Sequence, residues 1–157
     1  MLDNAEQKIV NHVSSIGWSV MTVAPLADSD DPEEWFAYTI GLPKTFGWPE
    51  IICFGLATDA MVTILNNAVE ELRDSGVMPA PGVQLTEVLN NHPARLRRND
   101  AIPFNYLGFA NWFAGYAGML EPPGRLQLMW PDKNGYFPDD PRCEPEVRGL
   151  QTPCEVA

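Results

Sequence analysis

Basic side chains are scarce in this chain: ten Lys and Arg stand against twenty-one Asp and Glu, for a net charge of −11. A phosphate backbone is bound through clustered cations, so no nucleic-acid partner is expected, and an anionic membrane surface is disfavoured for the same reason. Histidine is scarcer still, with only His12 and His92. Any Ser-His-Asp or Cys-His arrangement must use one of them. No G-x-S-x-G, C-x-x-C or H-E-x-x-H pattern occurs, which removes the usual signatures of nucleophilic hydrolysis and of zinc. No Gly-rich loop joins a strand to a helix, so a nucleotide cofactor has no signature and no cofactor is expected. Long apolar runs are also missing, and none approaches the ~20 residues of a membrane helix.

The three cysteines are too few for a disulfide framework. Cys53 sits inside the apolar run IICFGL and reads as a buried thiol, while Cys143 and Cys154 lie in a Pro-rich tail where they are expected to react or to pair. The opening MLDNAEQKIV carries two acids and no apolar core, so it does not read as a signal peptide. A reduced cytosolic protein is the simplest expectation.

What the chain does have is proline, fifteen in 157 residues. That favours short elements joined by rigid turns in one domain. Asp3 and Glu6 form a capping pair ahead of the stripe Ile9, Val10, Val13 and Ile16, and Gly17 ends that helix. Residues 18–23 and 35–42 read as strands, separated by a loop with five acids between Asp28 and Glu34. Pro43 and Gly47-Trp48-Pro49 make a turn before the central strand 51–56, which is apolar without alternation. Thr58 caps the strongest helix, whose stripe is Met61, Ile64, Leu65, Ala68, Val69 and Leu72, with Gly76 as its stop. Residues 83–89 and 95–102 are weaker strands, and 105–116 has helical spacing. In residues 125–130, Leu126, Leu128 and Trp130 point one way and Arg125, Gln127 and Met129 the other; the turn Asp132-Lys133-Asn134-Gly135 follows. Asp132-x-Asn134-Gly135 only faintly echoes a calcium loop, because its glycine comes too early, and no metal site is expected.

Gly17-Trp18, Tyr38-Thr39-Ile40-Gly41-Leu42, Pro49-Glu50, Gly55, Leu65-Asn66 and Gln127-x-x-Trp130-Pro131-Asp132 occur in an order that resembles the bacterial domain-of-unknown-function family 4262, over about residues 9–151. The resemblance implies a shared fold and brings no catalytic residues with it. Two departures fall in the tail: Asp139 stands where the family tends to carry Trp, and Gln151 is followed by Thr152 rather than Pro.

Trp-Pro-acid occurs twice, at Trp48-Pro49-Glu50 and Trp130-Pro131-Asp132. The first opens a strand and the second closes one. If those strands are antiparallel neighbours, both carboxylates share one sheet edge, where they repel, raise a pKa or recruit a divalent cation. The simpler expectation is that each proline ends its ladder and each acid caps nearby amides. Arg95, Arg97 and Arg98 either bind an anionic ligand or pair internally with Asp132, Glu50 or the acidic loop. Tyr38, Thr39, Asn66, Gln127 and Trp130 are polar groups on apolar elements that must find partners or line a pocket.

The sequence therefore predicts one α+β domain over residues 1–157, a mainly antiparallel sheet with helices packed on one face, its core at about 3–137 and its acidic tail 138–157 wrapping it. Its expected role is that of a non-catalytic binding or protein-interaction module of the bacterial cytosol, taking a protein partner or small ligand. The alternative is an enzyme built on Glu50 and Asp132.

Overall fold

The computed structural model describes residues 1–23, 35–100, 102–121 and 123–151. The acidic segment Asp28 to Glu34 and Cys154 lie outside the described residues.

The first helix, α1 (Asn4–Ser15), starts on the expected capping box: the Glu6 amide donates to Asp3 Oδ1 at 2.8 Å and the Asp3 amide to Glu6 Oε1 at 3.1 Å. Ile9 and Val13 are buried, but Ile16 falls just past the last turn and is 58% exposed, so the apolar stripe is one residue shorter than expected. Strands β1 (Ser19–Val23) and β2 (Phe36–Ile40) follow. Where a turn was expected the chain makes a short helix, α2 (Leu42–Phe46). Pro43 suits its first turn, where no amide donor is needed. Gly41 and Gly47 bracket it with φ of +98° and +77°. A side chain on Gly41 would also strike Val13.

Next come β3 (Glu50–Phe54) and the long helix α3 (Thr58–Ser75). Its N-cap is Ala57 rather than Thr58, which is the first helical residue and makes no side-chain cap. The expected stripe from Met61 to Leu72 is buried in full, with Leu65 and Leu72 wholly inaccessible. Strands β4 (Gln84–Leu85) and β5 (Ala94–Arg97) are shorter than the sequence pattern suggested. A 3-10 turn at Phe104–Leu107 runs into α4 (Gly108–Tyr116), then β6 (Arg125–Met129) and α5 (Pro145–Gln151).

The six strands form one sheet in the order β1-β2-β3-β6-β5-β4, antiparallel at every junction except β3–β6. The α+β class stands as expected, and the layering goes further than one covered face. α3 lies over Ala37, Ile51, Cys53, Leu126 and Leu128, while α1 and α4 pack Ile9, Val13 and Phe113 against Tyr38, Ile40, Ile52 and Phe54 on the other side. β2 and β3 are therefore buried on both faces, which explains why neither alternates in sequence. α5 reaches the end of β3, where Gly55 (φ +86°) is required: a Cβ there would lie 2.6 Å from the Leu150 carbonyl oxygen.

The core placement of Cys53 is as expected, and burial pushes its thiol up to about 12. Cys143 departs from expectation. It is a free thiol, 2% exposed within the tail segment, so it is sheltered rather than reactive. Titration of the native protein with a thiol reagent should leave Cys53 and Cys143 unlabelled until unfolding; rapid native labelling of Cys53 would overturn its assignment to a central strand. Among the described residues no helix is long and apolar enough to cross a membrane.

Candidate functional site

Glu50 opens β3 and is 1% exposed. Its Oε1 accepts from the Thr39 hydroxyl at 2.7 Å and from the Leu42 amide at 3.4 Å, and its Oε2 from the Gly41 amide at 2.8 Å. Thr39 Oγ1 in turn accepts from the Ile51 amide at 2.9 Å. The carboxyl thus closes the start of α2, whose N-cap is a glycine with no side chain to do so. Burial pushes its pKa up to about 8 against those three donors. Arg125, its register partner on β6, does not answer it. That guanidinium donates to the Ile102 carbonyl at 2.5 Å, and among the described residues its buried Nε has no partner.

Asp132 lies at the other end of the sheet. Because β3 and β6 are parallel, with Glu50 opposite Arg125, both strands begin beside Glu50 and finish near Asp132. The carboxylates are separated by on the order of 15–20 Å of strand. The pairing that the enzyme reading needs depends on antiparallel neighbours and does not form. Asp132 is 2% exposed; its Oδ1 accepts from the Asn134 and Tyr136 amides at 2.9 and 3.0 Å, and its Oδ2 from the Glu144 amide at 3.0 Å. Burial raises its pKa, but the amides of Tyr136, Glu144, Asn134 and Gly135 outweigh this and hold it below the ordinary value. Asp132→Asn should therefore lower the melting temperature at neutral pH, since the new amide nitrogen must face at least one of these donors. A stabilised variant would mean that the carboxylate is repelled rather than held.

The arginines pair internally, with partners other than Glu50 and Asp132. Arg95 bridges to Asp139 and lies over the Phe137 ring, Arg98 meets Asp100 at 3.0 Å, and Arg97 Nε donates to Gln127 Oε1 at 3.0 Å. Gln127 also accepts from Asn99 and donates to the Gln151 carbonyl. The carboxamide of Gln151 then accepts from the Trp130 amide at 2.8 Å and donates to the Trp130 carbonyl at 2.7 Å. It stands in for a neighbouring strand just where Pro131 stops the ladder. Trp130 Nε1 donates to the Phe54 carbonyl at 2.9 Å, Asn66 Oδ1 accepts from Trp18 Nε1 at 2.9 Å, and Tyr38 Oη accepts from the Phe109 amide at 3.0 Å. Among the described residues, each polar side chain singled out from the sequence as a site candidate has a partner within the fold.

The family model described as "Domain of unknown function (DUF4262)" matches residues 12–144. The chain belongs to this family. No curated protein and no solved structure matches it. Of the two departures from the DUF4262 pattern, Asp139 holds Arg95, while Thr152 lies outside the described residues; the Gln151 before it holds the end of β6. Sequence reasoning missed Gln151, Asn99, Asp139 and Arg125, all of which act across more than twenty residues of chain.

The surface of this DUF4262 member carries several clefts. Each Trp-Pro pair lines one. Trp48 and Pro49 face Met119 and Leu120 across 630 Å³, and Trp130 and Pro131 face Leu89 and His92 across 240 Å³. Another, of 450 Å³, runs beside β1 under Tyr106 and Phe109. His92 Nε2 lies 3.2 Å from the Lys133 carbonyl oxygen, and His12 Nδ1 is 3.2 Å from Ser19 Oγ. Among the described residues no three His, Cys, Asp or Glu side chains converge.

Proposed function

We propose that this DUF4262 chain is a non-catalytic binding or interaction module of the bacterial cytosol, taking a protein partner or a small ligand through its apolar clefts. One observation carries the reading: Glu50 and Asp132 stand at opposite ends of parallel strands, and each is committed to backbone amides. A shifted pKa often marks catalysis, and Glu50 has one, but its carboxyl is buried under α2 and lines none of the clefts described above. The charge of −11 favours basic partners over nucleic acid. Two sheltered free thiols suit a reducing compartment.

Calcium, magnesium and manganese should each leave the melting temperature unchanged apart from ionic strength, because a ligand stabilises only a fold that binds it. A rise that Glu50→Gln or Asp132→Asn abolishes would overturn the reading in favour of a carboxylate site.

A further inference from the structure

β1 is an edge strand. It pairs with β2 along all five of its residues, and among the described residues no strand pairs with its outer side. An open edge offers a row of N–H and C=O groups to any extended chain, and soluble proteins commonly blunt such edges with lysine, proline, a bulge or extreme shortness. The opposite edge follows that rule, since β4 has only two residues. β1 does not. Ser19-Val20-Met21-Thr22-Val23 has no charge and no proline, its register with β2 is unbroken, and Thr22 is exposed.

The 450 Å³ cleft lies against this edge. Met21 and Val23 sit directly opposite Tyr38 and Phe36, and Tyr106 and Phe109 form the facing wall. A strand added outside β1 would turn every second side chain towards this face. Methionine and aromatic walls accept a range of apolar shapes.

Charge decides the occupant. Val23 leads directly into the segment with five acids and no Lys or Arg before β2, on a chain of net charge −11. A second copy would carry the same net charge of −11 and be repelled, whereas a basic strand is attracted. We infer that β1 is a docking edge for an extended segment of a basic protein partner. Its apolar residues alternate into the cleft, and its Lys or Arg residues lie on the other face. This inference rests on the interaction-module reading and names the surface and chemistry of the partner.

The probe is a labelled synthetic peptide alternating valine with lysine, followed by fluorescence anisotropy and by amide hydrogen exchange. The lysine peptide should bind more weakly as salt is raised, a peptide with glutamate in place of lysine should not bind, and exchange should slow at residues 20–23. Thr22→Lys, at an exposed position, should weaken binding by roughly tenfold or more, while Thr22→Val should retain it. Failure of the lysine peptide to bind, or equal binding of the glutamate peptide, overturns the proposal. So does a concentration-dependent dimer that Thr22→Lys breaks, because the edge then belongs to a second copy. Slowed exchange elsewhere, with Thr22→Lys binding normally, sinks the β1 edge and leaves the module reading standing. That broader reading fails instead on the cation test above.

Discussion

Stability should fall as the pH rises from about 4.5 to about 8, and Glu50→Gln should remove that fall. In the unfolded chain the Glu50 carboxyl ionises near its ordinary value of 4.5, whereas in the fold burial holds the proton until about 8. Below the lower value both states are protonated and the group contributes nothing. Between the two the folded state binds more protons than the unfolded, so unfolding becomes easier by about 1.4 kcal/mol per pH unit, reaching up to about 5 kcal/mol at mildly alkaline pH. The Thr39 hydroxyl and the Gly41 and Leu42 amides oppose this by favouring the charged form, but they are outweighed by loss of water around a carboxyl that is 1% exposed. The measurement is chemical denaturation of wild type and Glu50→Gln from about pH 5 to about pH 9, reading the difference between them. A difference that does not change with pH would mean that the three donors win and that Glu50 is ionised in the fold.

Trp130→Ala should cost about 3–5 kcal/mol of unfolding free energy, seen as a fall in melting temperature of roughly 10 °C. The indole packs against the α3-side core, and its Nε1 donates to the Phe54 carbonyl at 2.9 Å, tying the end of β6 to the end of β3. Removing it opens a void beside the 240 Å³ cleft and leaves that carbonyl unpaired. Trp130→Phe separates the two effects: it keeps the ring and should cost about 1–2 kcal/mol for the lost hydrogen bond. If Trp130→Ala stays within ~0.5 kcal/mol of wild type, as surface substitutions do, the residue belongs to a binding surface alone.

Trp130-Pro131-Asp132 is thus a structural corner that also forms one wall of a cleft, and its acid was legible as a cap from the turn that follows. Asp3 with Glu6, the α3 stripe, the central strand around Cys53 and the acidic turn at Asp132 were all readable for the same reason. Each depends on residues within a turn or two of one another, and side-chain period and capping geometry are local properties of the chain. The family was readable too, because its blocks are carried in order along one dimension.

Strand direction was not. Whether Glu50 and Asp132 share an edge depends on β3 and β6 running together or opposed, and some seventy residues separate the two strands. Nothing in either local sequence carries that sign. The same limit applies to Gln151 completing β6 and Asp139 meeting Arg95. These are polar groups whose partners lie far along the chain, and the requirement that a buried donor or acceptor be satisfied says that a partner exists without saying which. Composition and local pattern by themselves determined the elements and the apolar faces of this protein. Only tertiary packing decided which charges meet, because desolvation and hydrogen-bond geometry act between surfaces that the fold must first bring together.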